Sequence, residues 1–100
     1  MALKALWIFC NESIVEEVID LLEEGGAEGY TAWPDVLGCH RGCKTHWNDA
    51  VFPGKNWAFF VAGGGELIAS LLGLLEAFKE REEIRHAGIK AFVQPLEEIL

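Results

Sequence analysis

Two short apolar runs, each followed by a segment with helical periodicity, constrain the fold of this chain most strongly. Residues 2–10 and 57–62 are rich in aromatic and branched side chains, which predicts strands buried on both faces. Apolar residues then recur every three or four positions over 13–24 and 66–81, which predicts two amphipathic helices. Asn11 and Ser13 compete to cap the first helix, and Ser13 with Glu16 three residues later predicts a capping box. Gly25-Gly26 is expected to end the helix.

Shorter β-prone segments at 29–33 and 89–93 complete a β-α-β-β-α-β order of elements. This order predicts an α+β, ferredoxin-like fold with an antiparallel sheet and both helices on one face. The 100 residues are expected to form one domain, 1–100, in which 36–56 is a long functional loop.

The aromatic residues of the strands predict a second apolar surface. Because side chains alternate along a strand, Trp7, Phe9, Phe59, Phe60 and Phe92 cannot all point toward the helices. An apolar sheet face left uncovered usually marks an interface. We therefore predict a closed homo-oligomer in which copies of the chain bury the face without helices.

The loop 36–56 carries much of the reactive chemistry of the chain. It contains two of the three Cys, two of the three His and three of the eight Lys and Arg. Three cations against Asp49 give it a net charge of +2, whereas the whole chain carries −8. A positive loop on an acidic body suits an anionic ligand or an acidic partner; alternatively, the loop simply collects charges. The overall charge disfavours binding to nucleic acid.

The composition indicates a globular cytoplasmic protein. No apolar run approaches the roughly 20 residues that span a bilayer, so no membrane insertion is expected. The N-terminal segment has no signal-peptide pattern. An odd number of Cys argues for reduced thiols rather than a disulfide framework.

Two motifs give the chain a resemblance to a known family. The loop begins with Val36, Gly38 and Arg41, and residues 92–100 read F-V-Q-P-L-E-E-I-L. With the order of elements, they resemble the PII nitrogen regulatory signalling proteins. The resemblance implies a homotrimer that binds ATP or ADP in three lateral clefts. It also implies a regulator, not an enzyme, whose loop engages a transporter or a metabolic enzyme.

The resemblance places the effector site at the base of the loop together with the last strand. The implied ligand-binding residues are Gly38, Cys39, His40, Arg41, Gly42 and Lys90. Glycine lets backbone amides approach phosphate closely, and Arg can pair phosphate oxygens bidentately. The chain departs from the family pattern V-x-G-x-G-R-Q at His40 and Gly42, where the family has Gly and Gln.

The loop also supports an alternative function as a metal-binding or metal-tolerance protein of the same fold. Cys39, His40, Cys43 and His46 lie within eight residues, and thiolate and imidazole are ligands that zinc and copper prefer. Cys10 and His86 are further candidate ligands if the strand ends converge. The spacing is not that of a standard zinc finger, so incidental loop residues are the competing interpretation.

Catalysis has less support than binding. Cys43 and His46 have the residue types of a nucleophile and its base, but no third group orients them, so we do not predict an enzyme.

Lys44, Trp47 and Phe52 are the candidate partner-binding residues, since aromatic anchors are common at interfaces. The alternative is that Trp47 and Phe52 pack on their own trimer.

Overall fold

A computed structural model describes residues 2–37 and 55–100. In this part of the chain, four strands form one antiparallel sheet. They are β1 (Leu3–Asn11), β2 (Thr31–Val36), β3 (Asn56–Gly64) and β4 (Ile89–Leu96), and their order across the sheet is β2-β3-β1-β4. The predicted β-α-β-β-α-β arrangement is confirmed, with the two most apolar runs as the central strands.

Two helices follow the two central strands. A 3-10 turn (Glu12–Ile14) leads from β1 into α1 (Val15–Glu24), and α2 (Gly65–Lys79) follows β3 directly. The predicted Ser13–Glu16 capping box is wrong, because the N-cap of α1 is Ile14, which makes no side-chain capping hydrogen bond. The side chain of Asn11 instead accepts a hydrogen bond of 3.0 Å from the Ser13 amide and caps the 3-10 turn.

Both helices pack on the same face of the sheet. Buried side chains of β1 and β3 form one hydrophobic cluster with those of α1 and α2; the largest of its fully buried members are Phe59, Leu6, Ile8, Leu22, Ile68 and Leu71. Among the described residues no polar or charged side chain is buried. The fold is therefore held by a single apolar layer between helices and sheet.

The strands are longer than the sequence predicts, because two prolines lie at tolerated positions. β2 continues through Pro34 to Val36, and β4 continues through Pro95 to Leu96. Both are edge strands, where a missing backbone N–H can face away from the ladder.

The register of β2 against β3 shifts between Trp33 and Val36, and Asp35 adopts a positive φ of 59° there. This bulge lies just before the last pair, Val36 with Asn56, where the loop begins.

Candidate functional site

At one end of the sheet, the end of β1 links Lys55, near the end of the loop, to the residue that precedes β4. The Asn11 amide donates a hydrogen bond of 2.8 Å to the Gly88 carbonyl, and the Glu12 amide donates one of 2.9 Å to the Lys55 carbonyl. Val36 pairs with Asn56 across β2 and β3. The end of β1 is thus tied to both β3 and β4, which fixes the backbone around the loop's two ends.

An ion pair joins the two ends of the loop. Asp35 lies just before the loop and Lys55 lies near its end, and their charged groups are 3.8 Å apart. Both side chains are at least half exposed, so the pair contributes little to stability. The sequence analysis did not predict the left-handed backbone or the ion pair of Asp35, although Asp is one of the few residues that adopt a left-handed conformation readily.

Lys90 lies on β4, at the opposite edge of the sheet from β2. It pairs with Phe9 of β1, and its side chain is exposed. Three strand spacings separate β2 from β4, which is roughly 14 Å. The loop begins at the end of β2, so the sheet order places Lys90 and the start of the loop on opposite sides of the same copy.

A groove between α2 and β4 has Lys90 in its wall. Its volume is about 540 Å³. One Glu, two Lys and five apolar residues line it: Leu72, Leu75, Glu76, Lys79, Ile89, Lys90, Ala91 and Phe92. An apolar surface beside cations is a common setting for an organic anion.

Most residues that the sequence singles out lie outside the described residues. These are the ligand-binding candidates Gly38, Cys39, His40, Arg41 and Gly42, the metal candidates Cys43 and His46, and the partner-binding candidates Lys44, Trp47 and Phe52. Over 2–37 and 55–100, no three His, Cys, Asp or Glu side chains are grouped as a metal site. Cys10 and His86, the further metal candidates, therefore belong to no such group there.

Cys10 is a core residue, and this gives it a measurable pH dependence. Its side chain is buried, and burial raises the pKa of the thiol from 9.0 to about 11. Above pH 9 the unfolded chain loses this proton while the folded chain keeps it, so the free energy of unfolding should fall by up to about 1.4 kcal/mol per pH unit. Urea unfolding between pH 9 and 11 measures this slope.

The Cys10→Ala variant is the control for the contribution of the thiol. It should lose the part of the slope that the thiol contributes between pH 9 and 11, whatever its absolute stability. Equal slopes in the two proteins would show that the thiol ionises as readily in the folded chain as in the unfolded one.

The sheet face without helices carries five aromatic side chains, which we call the free sheet face: Trp7, Phe9, Trp33, Phe60 and Phe92. The Trp7 ring lies 4.9 Å from Phe60 and 6.1 Å from Trp33, and Phe9 lies 6.1 Å from Phe92, between ring centroids. Phe92 is 56% exposed and Trp33 is 44% exposed. The prediction of a second apolar face is confirmed. Of the five aromatic residues considered from the sequence, Phe59 points to the helices, and Trp33 joins the other four on the free sheet face.

A polar contact lies within the free sheet face. The Trp7 indole Nε1 donates a hydrogen bond of 2.6 Å to Gln94 Oε1 on the neighbouring strand. This contact satisfies the single polar atom of the indole without water. Apolar groups can therefore cover this face while the indole N–H keeps Gln94 as its hydrogen-bond acceptor.

No helix in the described ranges is both long and apolar enough to cross a bilayer.

Comparisons with known proteins identify the fold. No family model matches the sequence, and a search of curated proteins finds no match. The structure is similar to that of CPII from Thiomonas intermedia K12, a nitrogen regulatory PII-like protein solved with ADP, AMP and bicarbonate. The two share 22% sequence identity with a TM-score of 0.71, and the match covers 96% of this chain and 91% of CPII.

Two further solved structures have the same fold. One is a PII-like signalling protein from Thermus thermophilus, with 22% identity, a TM-score of 0.65 and coverage of 96% of this chain and 88% of that one. The other is a protein of unknown function from Pediococcus pentosaceus, with 15% identity, a TM-score of 0.68 and coverage of 100% and 97%. The resemblance found in the sequence is confirmed at the level of the fold: this chain is a divergent protein of PII-like, ferredoxin-like architecture.

Proposed function

We propose that the chain is a PII-like cytoplasmic regulator, not an enzyme, that binds a small anion and controls a partner protein through the loop 36–56. The effector is an adenine nucleotide or another anion bound at the loop base. The observation that carries this proposal is the shared fold with CPII, which was solved with ADP, AMP and bicarbonate. The positive charge of the loop in an otherwise acidic chain supports an anionic ligand.

The proposed site draws on two copies of the chain. The ligand-binding candidates 38–42 follow β2, whereas Lys90 lies on β4 at the opposite edge of the sheet. A neighbouring copy in a closed ring would bring its Lys90 toward the loop of the first copy. The five aromatic side chains of the free sheet face supply the apolar surface for such an assembly, which we propose is a trimer.

Calorimetric titration tests the effector. We expect ADP to bind, and we expect Lys90→Ala to weaken binding roughly tenfold, because a charged hydrogen bond to phosphate is lost. Lys4→Ala is the matched control. Lys4 is also exposed, but it pairs with Pro95 at the other end of the sheet, so its loss should leave ADP binding unchanged.

ATP, AMP and bicarbonate are titrated in the same way to define the effector. Absence of binding by all four ligands would contradict the proposed effector class. Equal weakening by Lys90→Ala and Lys4→Ala would show that only the general charge of the protein matters, and would remove Lys90 from the site.

A further inference from the structure

We propose that the groove between α1 and α2 binds a basic amphipathic helix of a partner protein. This groove lies on the outer side of the helix layer, opposite the free sheet face. Its volume is about 450 Å³. Because it faces outward, an assembly through the free sheet face would leave it accessible.

The two walls of the groove have different chemistry. On α1, Glu17, Asp20 and Glu24 recur at i, i+3 and i+7 and form an exposed acidic stripe. On α2, Leu74 and Ala77 are exposed one turn apart. The acidic stripe extends for about two turns of α1, or roughly 10 Å, and the apolar pair extends for one turn of α2. A helix lying between them would meet carboxylates on one flank and apolar side chains on the other.

The acidic stripe lacks cationic partners. In the part of the chain that the structure describes, Glu17, Asp20 and Glu24 form no ion pair. Among the described residues that line the groove, the only cation is Arg81, whose Nε lies 3.2 Å from a carboxylate oxygen of Glu83. Three such carboxylates beside exposed apolar side chains favour a ligand that is both cationic and apolar.

The charge pattern argues against a second copy of the chain as the occupant. Helix α1 contains no Lys or Arg, and α2 contains only Lys79, so neither can present a basic stripe. An anionic membrane or nucleic acid would be repelled by the same carboxylates. A partner helix with Lys or Arg at i, i+3 and i+7, and apolar residues beside them, matches both walls.

Fluorescence anisotropy with a synthetic peptide tests the proposal. The peptide is a labelled amphipathic helix of about 15 residues with Lys at i, i+3 and i+7 and Leu on the adjacent flank. We expect it to bind at low ionic strength. Neutralising the stripe in the triple variant Glu17→Gln, Asp20→Asn and Glu24→Gln should weaken binding about tenfold, because three ion pairs are lost together.

A second triple variant separates this groove from general attraction. Glu66→Gln, Glu97→Gln and Glu98→Gln make the same change in net charge at exposed positions outside both grooves, and should change binding less than about twofold. Leu74→Ala should weaken binding without altering charge. Equal losses in the two triple variants, or unchanged binding in the first, would overturn the proposal. The experiment uses nucleotide-free protein, so its outcome is independent of whether ADP binds.

Discussion

Replacing Phe59 with Ala should lower the free energy of unfolding by about 3–5 kcal/mol. The Phe59 ring is fully buried between the sheet and the helices, and it contacts the rings of Tyr30 and Trp57 at 5.6 and 6.1 Å between centroids. Its removal loses apolar burial and leaves a cavity. Domains of this size have a total stability of only about 5–15 kcal/mol, so urea unfolding followed by circular dichroism would show a large shift.

Two companion variants make this result interpretable. Phe59→Leu keeps most of the buried volume and should cost clearly less than Phe59→Ala, which matters if the Ala variant does not fold. Phe92→Ala removes the same side chain from the exposed free sheet face and should cost little in a separated copy. Similar losses for Phe59→Ala and Phe92→Ala in dilute protein would contradict the assignment of Phe59 to the helix side.

Replacing Phe92 with Asp should convert the proposed trimer into a monomer. The ring of Phe92 packs against Phe9 and is 56% exposed, so a charge there would be buried without a partner whenever copies cover the free sheet face. Native mass spectrometry should show three copies of 11.1 kDa, about 33 kDa, for the original chain and a single copy for the variant.

Leu74→Asp is the matched control for this prediction. Leu74 is also a partly exposed large apolar residue, at 39%, but it lies on the helix layer, opposite the free sheet face. Its replacement should leave the subunit count unchanged. A monomer for the original chain at micromolar concentration would refute the trimer, and dissociation by Leu74→Asp alone would place the interface on the helices.

The sequence could identify the elements of this fold because their patterns are local. The short apolar runs 2–10 and 57–62 and the helical spacing of the following segments depend on backbone geometry that repeats within a few residues. The ends of β2 and β4 were less predictable. Pro34 and Pro95 argue against continuing a strand, and only the edge positions of β2 and β4 make both tolerable.

The candidate site could be predicted only in part. The resemblance to the PII proteins implies Lys90 as a ligand-binding residue, which stays a prediction; the structure places Lys90 on β4 with its side chain exposed. The remaining ligand-binding and metal candidates of the loop stay predictions, because they lie outside the described residues. The left-handed backbone of Asp35 and its ion pair with Lys55 could not be predicted from the sequence. Both occur at a bulge, which depends on how two strands pair.

By itself, the sequence determined the order of the elements, the two central strands and the presence of apolar side chains on both sheet faces. Because side chains alternate along a strand, Phe59 and Phe60 must point to opposite sides of the sheet, but alternation does not show which side the helices cover. The tertiary structure decided that Phe59 belongs to the core and Phe60 to the free sheet face, because both helices pack on one side. It also placed β2 and β4 at opposite edges, since the order of strands depends on pairing between distant segments.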